Sequence, residues 1–148
     1  MHNLYRTQSI SSVYDILSRD GVYDNLVYDN SPPLSHFIPN MKDNVWFILN
    51  YRNEPSGLIM FEYLNYVLWV PHIVILEEYR GNNSEEWGKQ AIQYMINSCG
   101  AKKFLALTPY KSAKHYAERV GFKEITVLTK SIQKNGKLLD QYMLEMNT

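Results

Sequence analysis

Several groups of residues in this chain carry side chains able to move protons or hold anions. His72, Glu77 and Glu78 stand on or just after one apolar run. Arg80 and Gly81 follow at once, then Asn82, Asn83 and Ser84. Further on, Tyr110, Lys111, Lys114, His115 and Tyr116 lie close together. Histidine titrates near neutral pH and, like a carboxylate, serves as a general base. An Arg-Gly turn that opens a helix can aim backbone N–H groups at an anion. Each group also has an ordinary structural alternative. A strand histidine can be a hydrogen-bonded structural residue. Acids in a first turn favour their own helix dipole, and lysines on a helix form a solvated face.

The elements that must position these groups run from Tyr66 to Cys99. Val67 to Leu76 is apolar apart from His72 and rich in β-branched residues, with Pro71 as its interruption. That pattern predicts a buried strand. A sharp turn at Arg80-Gly81 follows, and Ser84 is available as a helix cap. Apolar residues then recur at Trp87, Ala91, Met95 and Cys99, with Ile92 and Ile96 beside them, which is one face of a helix. Strand alternation groups His72 with Val70 and Val74, on a face the pattern leaves undecided.

The 148 residues suit a single domain with one core. Charged residues are 20% and the formal net charge is zero, which removes the usual electrostatic reason to bind nucleic acid. The 12 tyrosines suit a core with polar tips more than a contact surface. The one cysteine excludes an internal disulfide and a cysteine zinc site, and no metal site is expected. No basic-then-apolar leader opens the chain and no apolar run approaches membrane-spanning length. The expectation is a soluble, cytoplasmic protein without a membrane partner.

The remaining segments read in order. Asn3–Ser9 is a short strand. Ser9 or Ser11 caps a helix over Val13–Leu17, and Val22–Tyr28 is a second short helix. Asn30-Ser31-Pro32-Pro33 is a break, and the loop after it carries His36. Val45–Tyr51 and Gly57–Tyr63 form an antiparallel hairpin through a turn at Asn53–Ser56. Gly100 ends the long helix. Lys103–Thr108 is a buried strand, and Ser112–Arg119 a helix leading to Val120-Gly121-Phe122. Ile125–Ile132 and Leu138–Met146 close as a hairpin through Asn135-Gly136. The order β, α, α, β, β, β, α, β, α, β, β predicts a mixed α/β (α+β) domain with a largely antiparallel sheet, flanking helices and one parallel crossover.

That order resembles the GNAT superfamily of N-acyltransferases over nearly the whole chain, from Asn3 to Met146. The residues that carry the resemblance are Glu78-Tyr79-Arg80-Gly81 after the central strand, and Ala113 with Arg119-Val120-Gly121-Phe122 after the next. The tyrosine-rich composition is also similar to GNAT-like proteins of bacteriophages. The resemblance implies acetyl-CoA as cosubstrate. Its pyrophosphate would meet Arg80, Gly81, Asn82, Asn83 and Ser84, with Lys111 and Lys114 helping to hold phosphates. Its pantetheine arm would pair with the strand edge at Val74, Ile75 and Leu76. The thioester would lie where that strand and Lys103–Thr108 part.

Two departures from the family pattern stand out. Small residues, usually glycines, are expected three and five places after the arginine, where this chain has Asn83 and Glu85. Many members carry a tyrosine acid four residues before the glycine of the Gly-Phe pair, where this chain has Ala117, with Tyr116 beside it. The resemblance implies transfer of an acetyl group to an amine of unidentified class, with His72 or Glu78 as base candidates and Tyr116 or Tyr110 as acid candidates. The alternative is a catalytically inactive GNAT-fold structural protein with protein partners, such as a phage virion or head-assembly component.

Overall fold

The structure is a computed structural model that describes residues 1–81 and 83–148. Strand β1 (His2–Thr7) leads into helices α1 (Ile10–Leu17) and α2 (Val22–Leu26). Strands β2 (Val45–Tyr51), β3 (Glu54–Tyr63) and β4 (Leu68–Ile75) follow. Helix α3 (Glu85–Cys99), β5 (Lys103–Thr108), α4 (Lys111–Val120), β6 (Lys123–Lys134) and β7 (Lys137–Asn147) complete the chain. The strands form one sheet in the order β1-β2-β3-β4-β5-β7-β6. β4 and β5 run parallel, and the other neighbours are antiparallel. This is the expected mixed α/β domain. Among the described residues no helix is long and apolar enough to cross a membrane.

Local chemistry explains most boundaries. The Ser9 side chain accepts the Ser12 N–H and caps α1. Gly100 ends α3 in the left-handed region that glycine favours. Asn135 and Gly136 both take positive φ in the tight turn between β6 and β7. One expected turn is corrected. The β2–β3 reversal occupies Arg52 and Asn53, at φ 50° and 66°, rather than Asn53–Ser56. A two-residue turn with both centres at positive φ matches the twist of its strands. β3 therefore starts at Glu54, and a bulge shifts the register so that Leu49 faces Gly57 while Asn50 faces Pro55.

Side-chain alternation divides the core between the two faces of the sheet. Phe47, Leu49, Phe61, Trp69 and Phe104 pack under α3 with Trp87, Ala91 and Met95. Trp46, Ile48, Leu58, Val74 and Leu76 pack under α1 with Val13, Ile16 and Leu17. Cys99 is half-buried at the edge of the α3 core, and burial pushes its thiol up.

Trp87 ties the first turns of α3 to the far edge of the sheet. Its ring is fully buried, and its Nε1–H is shared between the Asn3 carbonyl at 2.9 Å and the Asn50 carbonyl at 3.0 Å. Trp87→Phe keeps most of the apolar contact and removes the donor. Leaving these carbonyls short of a partner should cost about 1–3 kcal/mol. Urea unfolding should show a lower midpoint with an unchanged slope. A change within about 0.5 kcal/mol, as for an ordinary surface substitution, would contradict the pinning role.

Candidate functional site

β4 is paired along its whole length on one side and hardly at all on the other. On the β3 side its register runs unbroken from Gly57↔Ile75 to Tyr63↔Trp69. On the β5 side it pairs only at Leu68↔Lys103 and Trp69↔Phe104. Beyond Trp69 the two strands part and leave a cleft.

The backbone parity of β4 shows what lines that cleft. The Leu76 N–H donates to the Ser56 carbonyl, toward β3. The Val67 carbonyl accepts from Lys102 and Lys103, toward β5. Alternate residues point their backbone groups to opposite sides. Residues 69, 71, 73 and 75 therefore address β5, and 70, 72, 74 and 76 address β3. Pro71 falls on the β5 side, where it has no N–H to offer. A parallel ladder loses its donor at that position, and the strands separate there. No bulge is needed, because the β3–β4 register has none.

The same parity corrects the expected pantetheine edge. Val74 and Leu76 turn their backbone toward β3 and bury their side chains against α1. Ile75 faces the cleft, and Ile73 joins it. The Ile75 carbonyl is already taken by the Arg80 Nε–H at 2.9 Å. Among the described residues, the β4 groups on this side without a ladder partner are the Pro71 C=O, the Ile73 N–H and C=O and the Ile75 N–H.

The turn after β4 departs from its expected form. Glu77–Tyr79 is one 3₁₀ turn that carries Glu78 on the surface. The Arg80 N–H donates to the Glu77 carbonyl. Gly81, at φ 82°, has open space around it, so the backbone angle rather than crowding selects glycine there. Asn82 lies outside the described residues. Asn83 takes the left-handed angle its type tolerates, at φ 67°. Ser84 stands at the helix start but does not cap it: its backbone is helical, its side chain makes no capping bond, and it is buried.

The first-turn amides of α3 are largely engaged within the protein. Glu86 N–H donates to the Asn83 carbonyl and Trp87 N–H to the Ser84 carbonyl. Gly88 N–H donates to the Tyr116 hydroxyl at 3.2 Å, and that hydroxyl donates to the Ser84 carbonyl at 2.9 Å. Tyr116 thus bolts α4 onto the start of α3. Burial pushes its hydroxyl well above the usual tyrosine range. Its proton is engaged in a structural bond here, donated to the Ser84 carbonyl. The small residue where the helices meet is Gly88, which the sequence pattern did not single out. A Cβ there would stand 2.6 Å from Val120 Cγ2.

The two acids in the first turn of α3 are paired. Glu85 lies 3.8 Å from Arg119, and Glu86 lies 3.7 Å from Lys89. Lys114 is 3.0 Å from Glu124 and over the Tyr142 ring, so it is not free to hold a phosphate. Its bond to Glu124 raises its pKa. Lys111 is exposed at the start of α4. His115 pairs with Glu118 on the solvent side.

The sheet face opposite α3 holds His72. It is half-exposed, and its Nε2 lies 3.0 Å from Glu62 Oε1 on β3. That hydrogen bond holds the Glu62 carboxyl below its usual range. The segment after α2 is joined to the β6–β7 turn. Asp29 accepts N–H bonds from Asn135 at 2.6 Å and Gly136 at 2.8 Å. Lys134 Nζ reaches the Asp24 carbonyl at 2.9 Å. The loop after α2 is therefore tied to the β6–β7 turn.

Comparison with known proteins agrees with this architecture. No family model matches the sequence, and no curated relative is detectable from sequence. Solved structures do match. A mutant spermidine N-acetyltransferase from Vibrio cholerae superposes with a TM-score of 0.80 at 16% identity, over 99% of this chain and 93% of that one. The same enzyme in complex with CoA and spermine matches with a TM-score of 0.78 at 15% identity, over 99% and 95%. RimL, a ribosomal α-N-protein acetyltransferase solved with coenzyme A, matches with a TM-score of 0.79 at 9% identity, over 99% and 93%. The chain has the GNAT N-acetyltransferase fold from end to end.

Tyr116→Phe separates the structural from the chemical role of that residue. It leaves the buried Gly88 N–H unpartnered and should cost about 1–3 kcal/mol in urea unfolding. Stability within about 0.5 kcal/mol of the unsubstituted protein would contradict the structural role.

Proposed function

We propose that this protein transfers an acyl group from an acyl-CoA thioester to an amine. The observation that carries this reading is the open edge of β4, with Ile73 and Ile75 facing a cleft beside the start of α3, in a fold shared with N-acetyltransferases, two of them solved with CoA. An extended pantetheine arm carries amides that can pair with those strand groups as a short added strand. Arg80, fixed through Nε to the Ile75 carbonyl, keeps the rest of its guanidinium for the pyrophosphate. Gly81, Asn83 and the exposed Lys111 border the same end.

Chemistry at this cleft follows the needs of amide formation. An ammonium acceptor gives one proton to a base, and His72 is the base candidate beside the cleft. The neutral amine nitrogen bonds to the thioester carbon, the C–S bond breaks, and the CoA thiolate leaves. The second nitrogen-bound proton is lost and the thiolate is protonated. Tyr110, at the end of β5, is the tyrosine left for that role once Tyr116 is committed. Glu78 lies beyond the strand end and has no hydrogen-bond partner among the described residues. The acceptor is an amine, as polyamine and protein α-amine are for the structural neighbours.

A non-catalytic assembly role, such as in a phage particle, has one observation in its favour: the α3 start is largely satisfied by Asn83, Ser84 and Tyr116 without a ligand. A thermal-shift titration with acetyl-CoA, with ATP as control, distinguishes the two. At 100 times its dissociation constant a ligand stabilises by about 2.7 kcal/mol, which for this size is on the order of 5–10 °C. The transferase reading expects that shift, reduced by Arg80→Ala. No shift at millimolar acetyl-CoA would overturn it.

A further inference from the structure

The pair formed by His72 and Glu62 contributes little to holding the fold together. Both side chains are about half exposed, at 51% and 46%. They stand on neighbouring strands at a diagonal, since His72 is opposite Met60 and Glu62 is opposite Val70. Their neighbours on this face of β3 and β4 are Leu58, Met60, Val70 and Val74, which carry no charge. Val74 and Leu58 are covered by α1, with Val13, Ile16 and Leu17. His72 is the one charged influence on Glu62. An exposed pair of this kind contributes little to stability.

Position gives the pair another use. His72 lies three residues beyond Trp69, the last β4 residue joined to β5. It therefore stands beside the cleft, with its backbone turned to β3 and its ring on the face away from α3. A thioester held along Ile73 and Ile75 would be approached by an amine from this face.

We propose that Glu62 is a positioning residue that fixes His72 as the base for a cationic amine acceptor. This rests on the acyl-transfer reading. An ionised Glu62 accepts the Nε2–H of neutral His72, which fixes the tautomer and leaves Nδ1 with its lone pair. Among the described residues Nδ1 has no partner. Nδ1 takes a proton from the acceptor ammonium, and the imidazolium that forms is stabilised by the Glu62 carboxylate. The neutral amine then attacks the thioester carbon and CoA leaves as its thiol once the second proton is transferred. The hydrogen bond that lowers the Glu62 pKa keeps the carboxylate ionised well below neutral pH.

The test uses the full chain with acetyl-CoA and methylamine at high concentration, a small acceptor that needs no dedicated pocket. Thiol release is followed for wild type, Glu62→Gln, Glu62→Asp, His72→Ala and the double variant Glu62→Gln/His72→Ala. Glu62→Gln should lower kcat by about 10–100-fold with the KM for acetyl-CoA unchanged, in line with the loss of positioned base catalysis. Glu62→Asp should recover part of the loss, and the double variant should be no slower than His72→Ala. Nitrogen NMR of His72 should show a single Nε2–H tautomer in wild type and a mixture in Glu62→Gln. Full activity in Glu62→Gln, an unchanged tautomer, additive losses in the double variant, or no thiol release by a wild type that binds acetyl-CoA would each overturn the proposal. Failure of acyl transfer itself shows separately, as absence of the acetyl-CoA thermal shift in wild type.

Discussion

Pro71 has no N–H, and it sits where β4 would next donate to β5. The architecture of the cleft follows from that missing donor. Two register pairs hold the parallel strands at their start, and then the ladder stops. The far edge of β4 stays zipped to β3 without a bulge, so the strand itself remains straight and only one side opens. What is left is a short row of backbone groups at Ile73 and Ile75 that no neighbouring strand satisfies. Unpaired strand edges attract another extended chain. Here the edge is interior to the sheet, between β4 and β5.

The rest of the structure holds this opening in shape. Trp87 fastens α3 to the β1 and β2 carbonyls, and Tyr116 fastens α4 to the start of α3. Gly88 allows the two helices to close up against Val120. Arg119 and Lys89 offset Glu85 and Glu86 in the first turn of α3, so the acids there do not present bare charge to an anion. Asp29 holds the β6–β7 turn, with its carboxyl kept below the usual range chiefly by the Gly136 N–H.

Much of the fold was legible because its signals are local. Ser9, Gly100 and Asn135-Gly136 carry their turn and cap chemistry in their own residue types. Lys103–Thr108 is a strand with those bounds. The β2–β3 turn was missed because Asn53–Ser56 has the stronger turn composition, while Arg52 is an unusual residue for positive φ. The site was less legible because its chemistry comes from pairings across the sheet. The face on which His72 stands depends on register, and its partner Glu62 is ten residues away on β3. Tyr116 reads as an acid candidate until its hydroxyl is seen between Ser84 and Gly88. A fixed spacing from Arg80 pointed to Glu85 as the small-residue position, whereas the close helix approach falls at Gly88. The meaning of Pro71 was in the sequence, as the one interruption of an apolar strand, but only the backbone parity shows that its missing donor faces β5.

The proposed acyl-CoA site lays the extended arm of the cosubstrate along the unpaired side of β4. Amide hydrogen exchange at single-residue resolution tests it most directly, with and without saturating acetyl-CoA. Exchange at the Ile73 and Ile75 amides, which face the cleft, should slow. Val74, already turned to β3, should change little. Unchanged exchange at Ile73 and Ile75 under saturating acetyl-CoA would contradict the account.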